Sequence, residues 1–483
     1  MSTQCTSRRG VEARARRDAG PPPWSGRLLL LVILLAGSAV GTALARPLAS
    51  PLLAGPVVAP PPIDADADSD TLTRATRSFQ AGDSETALDL LERLLAHDPG
   101  SVPALTLKAA VLRFSGHLSD ALAAAHTATR KGESNAPAWQ VQTSILLDLG
   151  RGAEAEQSAR RLVELEPASA QARVLLGTAL RIRALAPPPS PSAVGAAGPD
   201  LALQRTVLLE SAATTLHTAT EMNPSLDDAW IQLGAVQIDL GRPAPARAAL
   251  DRALSLAPTS TTAHVLLGLA RLESGDLTGA DRQFEEALRI DPQLPSALVN
   301  LAVVRYRQNR ASDALSLASR ALERDAANPQ ALAMRGIIRR DRDQAVAARR
   351  DLELAVSVEP DDAAAQAALG TLLLSLGEAD PARARFETAV QLGITDVAVE
   401  NNLGLAYKLL ARYDQARLHF EKALRLAPDS PDIHYNLAVM LSMAGDTAGA
   451  AENFESYLKL SPAAPDAAVV RERVKELTSP RPK

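Results

Sequence analysis

The sequence predicts an all-α fold made of repeated helix pairs that stack into an α-solenoid, and three observations lead to this prediction. Alanine, leucine and arginine, which are among the best helix formers, dominate a chain with only 3% aromatic residues. Small residues recur along the chain with a period of 34. Glycine and proline interrupt the pattern at regular intervals, as they do at helix ends.

Two slots of the repeat carry the period. The first slot is small in every repeat from residue 227 onward, and the second slot is alanine in eleven repeats. The first slot holds Gly234, Gly268, Ala302, Gly336, Gly370, Gly404 and Ala438. The second slot holds Ala87, Ala121, Ala155, Ala212, Ala246, Ala280, Ala314, Ala348, Ala382, Ala416 and Ala450. A catalytic loop would occur once, so we interpret both slots as points where two helices approach closely.

Each repeat is expected to contain two helices. The residues that would end the first helix tolerate a left-handed backbone, and they include Gly241, Gly275, Gly377, Gly445, Asn309 and Asp343. The second helix carries the alanine slot and ends before a recurring proline such as Pro428. Large residues, among them Trp139 and Trp230, are expected to fill the space between neighbouring repeats. One pair cannot bury its apolar face alone, so each repeat depends on its neighbours.

This pattern resembles the tetratricopeptide repeat, a helix-turn-helix unit of 34 residues. The repeat near Asn401 shows it most fully, with Leu403, Gly404, Tyr407, Ala416, Phe420, Ala423 and Pro428. Eleven such units start at residues 68, 102, 136, 170, 227, 261, 295, 329, 363, 397 and 431. The resemblance implies a right-handed superhelix of antiparallel helix pairs over residues 68–464, followed by a capping helix and tail over residues 465–483.

The fourth unit departs from the pattern, because about 23 extra residues separate its two helices, at about 185–207. Proline, serine and glycine in residues 186–200 predict a loop, and an early start of the second helix is expected from Leu201. Either the chain tolerates this insertion at a turn, or the insertion is a private contact site for a partner.

The N-terminal residues have the layout of an exported protein. Residues 28–45 are uncharged and apolar, and six arginines precede them within a basic tail at residues 1–27. The length is near the lower limit for a membrane-spanning helix, and the positive-inside rule places the tail in the cytoplasm. Residues 28–45 are therefore an uncleaved anchor, or a signal peptide cut after Ala45. A proline-rich and then acidic linker, residues 46–67, follows.

The composition and this layout look bacterial. We therefore expect a single-pass protein of the inner membrane with its repeats in the periplasm, or a cleaved chain that is periplasmic or secreted. Gly37 and Gly41 form a GxxxG pattern, which can pack two membrane helices, so weak self-association is a further expectation.

The resemblance also implies a binding groove, since the first helices line the concave face of such superhelices. Relatives that grip extended peptides use an asparagine two residues before the motif glycine, together with basic residues further along the same helix. These slots hold Asn300, Asn402, Asn436, Arg307, Arg340 and Lys408, which form the candidate peptide-binding groove. Asparagine can both donate to and accept from a peptide backbone, and arginine can grip a carboxylate. The convex face and the insertion are the alternative surfaces.

Catalysis is not expected, because the chain has no GxSxG, HExxH or P-loop motif. Its seven histidines are scattered, and His264 and His434 occupy the slot of Trp230, where we expect them to pack. A net charge of −5 argues against a nucleic-acid groove. We expect a non-enzymatic scaffold that uses no cofactor or metal and binds an extended protein segment. The alternative is a glycan- or cell-envelope assembly or secretion factor that handles a polymer.

Overall fold

The computed structural model describes residues 67–186, 198–394 and 396–479, and these residues form 23 helices and no strand. The all-α prediction is therefore confirmed. The chain divides into two compact modules between Val304 and Arg305, inside the thirteenth helix. The described parts of these are the N-terminal module, residues 67–304, and the C-terminal module, residues 305–479.

The helices follow one another in pairs, and short turns join the two helices of every pair except that of the fourth repeat. In the N-terminal module they are α1 (Ala67–Gln80), α2 (Ser84–His97), α3 (Val102–Phe114), α4 (Leu118–Lys131), α5 (Ala136–Asp148), α6 (Gly152–Leu165), α7 (Ala170–Leu185), α8 (Gly198–Met222), α9 (Asp227–Asp239), α10 (Pro243–Leu256), α11 (Thr261–Glu273) and α12 (Leu277–Ile290). Helix α13 (Pro295–Arg307) spans the boundary. The C-terminal module continues with α14 (Ala311–Arg324), α15 (Pro329–Asp341), α16 (Ala345–Val358), α17 (Ala363–Ser375), α18 (Ala379–Gln391), α19 (Val397–Leu409), α20 (Tyr413–Leu426), α21 (Pro431–Ala444), α22 (Thr447–Leu460) and α23 (Ala467–Thr478).

Short polar side chains begin many of the first helices. Each accepts a hydrogen bond from a backbone N–H two or three residues further on, which satisfies a donor that the helix leaves unpaired. The residues that do so are Asn135, Ser169, Ser260, Asn328, Asp362 and Asp396. Ten of the eleven expected repeat starts fall on the first residue of a helix, and α1 begins one residue earlier than expected.

The small-residue slots bring the two helices of a repeat into close contact, as predicted. All eleven alanines of the second slot have no exposure to solvent. A Cβ atom added to Gly268 would lie 2.5 Å from the ring of Phe284, and one added to Gly404 would lie 2.8 Å from the ring of Phe420. The same relation holds for Gly234 with Leu250, Gly336 with Leu352 and Gly370 with Phe386. Glycine therefore makes room in the first helix for a large side chain of the second.

The turn inside each repeat uses a left-handed residue. Positive φ angles are confirmed at all six expected positions, Gly241, Gly275, Gly377, Gly445, Asn309 and Asp343. Ala411, in the turn of the tenth repeat, was not expected to share this conformation, yet its φ angle is 56°. Asparagine and aspartate can offset the strain with a local side-chain hydrogen bond, whereas the alanine side chain cannot.

The insertion in the fourth repeat is partly helical. Helix α8 begins at Gly198, which lies within the segment expected to be a loop, and it is 25 residues long. Leu216 of α8 lies against Gly177, 39 residues earlier, whereas Leu250 lies against Gly234, 16 residues earlier. The difference of 23 residues shows that the insertion leaves the packing of the repeat unchanged. Among the described side chains of α8, those of residues 203–207 are exposed and the first buried one is Leu209.

Helix α23 covers the last apolar face of the array. Its Ala467 and Val470 are each 3% exposed. Beneath them, the ring of Tyr435 lies edge-on to the rings of Phe454 and Tyr457, with centroids 5.7 and 5.3 Å apart. The final repeat is thus shielded as a solenoid requires.

Replacing Ala411 with glycine should stabilise the C-terminal module by about 1 kcal/mol, because glycine removes the Cβ strain of a left-handed residue. The midpoint of urea unfolding would report this gain. Asn309→Gly provides the matched control, since asparagine tolerates the conformation and the gain there should be smaller. An Ala411→Gly variant that is less stable than the wild type would contradict the explanation.

Candidate functional site

The first helices of successive repeats line one side of each module. Neighbouring members of the series α1, α3, α5, α7, α9 and α11 contact each other in the N-terminal module, and so do neighbouring members of the series α15, α17, α19 and α21 in the C-terminal module. Pairs of successive second helices make no comparable contact among the described residues. The first helices are therefore the inner helices, and a ligand held between repeats would meet their side chains.

The slot of Trp230 forms what we call the turn latch. The indole N–H of Trp230 donates to the carbonyl of Pro224, six residues earlier, over 3.1 Å. Trp139 donates to the carbonyl of Glu133 in the same way, and His264 and His434 place Nε2 3.1 Å from the carbonyls of Pro258 and Pro428. The two tryptophans are only partly buried. The two tryptophans pack against buried core residues. All four residues also tie the first helix to the preceding turn, which the sequence analysis missed.

A second recurring contact, the inter-repeat seam, joins the first helices of adjacent repeats. The twelfth residue of one repeat meets the thirteenth residue of the next. The seam pairs seen are Phe79 with Phe114, Arg113 with Asp148, Arg181 with Asp239, and Tyr306 with Asp341. Three of these pairs are 35 residues apart in sequence, and the fourth is 58 apart because of the insertion. The chemistry of the contact changes from an aromatic ring pair to ion pairs and to a tyrosine hydroxyl that donates to a carboxylate. The positions of the two residues within their repeats stay the same.

The seam pair of Arg181 and Asp239 is buried. The side chains are 5% and 4% exposed, and Arg181 Nε donates to Asp239 Oδ2 over 2.5 Å. Two charges out of water are tolerated only when they compensate each other. A buried charge in the seam is therefore unfavourable unless a group of opposite charge compensates it.

Lys408 and Arg340 of the candidate groove both occupy the twelfth slot. Opposite them, the thirteenth slots of the next repeats hold Met443 and Ser375, so neither cation meets a carboxylate there. Arg340 instead turns to its neighbour Asp341, with Nη2 2.7 Å from Oδ1. Lys408 has no hydrogen-bond or ion-pair partner in the described part of the chain. Burial lowers the pKa of Lys408 below its usual range.

Arg307 and Arg340 are also desolvated, and burial lowers the pKa of each to about 10. Both remain cations at neutral pH. Asp341 accepts hydrogen bonds from both Arg340 and Tyr306, so the charge of Arg340 is already compensated. Lys408 is therefore the more accessible partner for an external anion.

The three asparagines have different surroundings. Asn436 donates through Nδ2 to Oδ1 of Asn401 over 3.1 Å, which joins α21 to α19. Asn402 is on the same helix as Lys408 and is 7% exposed. Asn300 lies in the N-terminal module and is partly exposed, so it belongs to a different module from the other five groove residues. In the C-terminal module, α19 and α21 hold Asn402, Lys408 and Asn436 on adjacent inner helices.

A carboxyl group that the sequence analysis did not single out is left unmatched in the N-terminal module. Glu273 ends α11 and occupies the thirteenth slot, opposite Ile238. Burial and then the charge of Asp239 raise the pKa of Glu273 to about 7. A comparison of the twelfth and thirteenth slots along the sequence could have found it, because the two slots hold opposite charges in neighbouring repeats.

The expected membrane segment at residues 28–45 lies outside the described residues. Within the part of the chain that is described, no helix combines the length and the apolar character needed to cross a membrane. The described residues also contain no group of three or more His, Cys, Asp or Glu side chains that could hold a metal ion.

Replacing Glu273 with glutamine should stabilise the protein at pH 8 by about 1 kcal/mol, because solvent screens this partly exposed carboxyl, and should have little effect at pH 4.5. The carboxyl has a raised pKa in the folded chain, so the wild type loses stability as the pH rises from about 4.5, the usual pKa, through about 7. Glutamine carries no charge at either pH. Thermal unfolding at both pH values measures the effect, with the exposed Asp251→Asn as a control, and an equal gain at both values would contradict it.

Comparison with known proteins identifies the repeats. Three family models, each described as tetratricopeptide repeat, match residues 401–465, residues 78–145 and 271–338, and residues 227–272, together about half of the chain. No curated protein sequence matches. The crystal structure of the APC/C hetero-tetramer Cut9–Hcn1 is similar at 16% identity and a TM-score of 0.49, over 84% of this chain and 90% of that chain. PilF of Pseudomonas aeruginosa is similar at 23% identity and a TM-score of 0.37, over 42% of this chain and 93% of that chain. The family matches, repeated along the array, show that this chain belongs to the tetratricopeptide-repeat family.

Proposed function

We propose that this chain is a non-enzymatic scaffold whose C-terminal module holds an extended segment of a partner protein against α19 and α21. The fold is consistent with a protein-interaction scaffold. The observation that carries the finer proposal is Lys408, a partly buried cation without a partner among the described residues. A carboxylate of the bound segment would compensate it.

The surroundings of Lys408 suit a segment that is both acidic and apolar. Met443, across the seam, is 56% exposed, and Leu409, next along α19, is 57% exposed. Exposed large apolar side chains beside a desolvated cation favour a ligand with a bulky apolar residue near its carboxylate. The contact would remove apolar surface from water and pair the charge in one step.

The asparagines support an extended backbone conformation in the ligand. The amide of Asn436 is held by Asn401, which fixes its orientation at the inner surface of α21. A fixed amide can pair with one peptide group of an extended chain, because it offers a donor and an acceptor. Arg340 takes a lesser part in the proposal, since Asp341 already compensates it.

Replacing Lys408 with glutamate should reduce recovery of the partner by about tenfold or more, because a charge-assisted hydrogen bond becomes a repulsion. The measurement is affinity capture from solubilised membranes with full-length bait, followed by mass spectrometry. Lys459→Glu is the matched control, since Lys459 is exposed on the second helix α22. Recovery of the same proteins with both variants would show that the groove residues do not bind.

We further propose that residues 28–45 tether the chain in a bacterial inner membrane and place the repeats in the periplasm. The uncharged stretch and the six arginines before it support this placement. The single cysteine, Cys5, provides the test, because it lies before the segment.

Intact mass of the chain purified from its native host should include Cys5, and the chain should remain in the membrane fraction after a high-salt wash. A mature chain that begins at Arg46 would instead show that the segment is a cleaved signal peptide. A full-length chain in the soluble fraction would refute both forms of the proposal.

A further inference from the structure

A charge is left uncompensated in the seam of the N-terminal module. Glu273 occupies the thirteenth slot, which Asp148 and Asp239 fill in other repeats, and each of those carboxylates is paired with an arginine of the preceding repeat. The corresponding residue before Glu273 is Ile238, which is apolar and 4% exposed. Glu273 therefore has no cationic partner within the described residues.

The neighbouring carboxylate, Asp239, cannot compensate the charge of Glu273. Asp239 is close enough for its charge to act on Glu273, and its own carboxylate is engaged by Arg181. Arg181 is thus already paired with Asp239, and no cation is paired with Glu273 among the described residues. The pKa of Glu273, raised to about 7 by burial and by Asp239, reflects this shortage of positive charge.

The surroundings of Glu273 suit a single monovalent cation better than a divalent metal ion. Calcium and magnesium need six or more oxygen ligands, whereas this place offers one carboxyl group that is not already paired. Glu273 is partly exposed at the end of an inner helix, so a side chain from another molecule can reach it. A guanidinium or an ammonium group would restore the pairing that the seam has elsewhere.

We propose that the N-terminal module binds a lysine or arginine side chain of a protein partner at Glu273. The site lies on the inner helices, because the seam joins first helix to first helix. It goes beyond the function proposed for Lys408, which belongs to the C-terminal module. The two modules therefore present unmatched charges of opposite sign, and each can be tested without the other.

The test is a selection of displayed random peptides against the full-length wild type, Glu273→Gln and Glu273→Lys. The wild type should enrich peptides that contain arginine or lysine. Glu273→Gln should lower that enrichment by about tenfold or more, as expected when a charge-assisted hydrogen bond is lost. Glu273→Lys should invert the preference towards aspartate and glutamate, which a purely structural role of Glu273 would not produce.

One further bait makes the result unambiguous. Asp251→Asn removes an exposed carboxylate of the same module and should leave the preference for cationic peptides unchanged. Equal enrichment of cationic peptides by the wild type and Glu273→Gln would show only the general acidity of the chain and would overturn the proposal. A wild type that enriches no cationic peptides would overturn it as well. Circular dichroism of every bait confirms that helical content is the same.

Discussion

The close approach of the two helices within each repeat is the constraint on which the rest of the structure depends. Alanine at full burial in the second helix, and glycine against a phenylalanine or leucine in the first, set the distance between the two axes. Close packing in a protein interior tolerates little change in volume, so the small residues keep the two helices of a repeat close together. The repeated packing goes with a constant register, and the register decides which residues of neighbouring repeats can meet.

The seam and the turn latch are consequences of that register. Both contacts use fixed offsets along the chain, and both survive changes of residue type, from tryptophan to histidine in the latch and from arginine to tyrosine in the seam. The seam chemistry can therefore vary without any change in the fold. Where the two slots stop matching, as at Glu273 and Lys408, the fold continues and a charge is left without a partner in the seam. Our proposals assign each of these two charges to a group on another molecule.

Sequence reasoning reached the fold because the fold is repeated. The period of 34, the small slots and the left-handed turn residues each occur many times, so the helix pairs could be placed before any coordinates were known. The positive φ angle of Ala411 was not predicted, because alanine, unlike glycine, asparagine or aspartate, is not typical of a left-handed backbone. Helix α8 begins earlier than expected because proline is acceptable in the first turn of a helix, although it usually signals a loop. The partial burial of Lys408 depends on packing between helices, and the pairing of Arg340 with its neighbour Asp341 depends on side-chain orientation, neither of which a motif encodes.

The turn latch has a consequence for how such an array can change by duplication or loss of whole repeats. Each latch joins a residue at the start of one repeat to a backbone carbonyl just before it, and a backbone carbonyl is present whatever the side chain is. The turn latch therefore places no requirement on the side chains of the preceding repeat. The seam is more demanding, because a charge in one repeat is compensated across the seam only when the next repeat carries the opposite charge. Recombination at the turns should therefore preserve the helix pairs while it creates new unpaired charges in the seam. Each unpaired charge is a position where a new binding specificity could evolve.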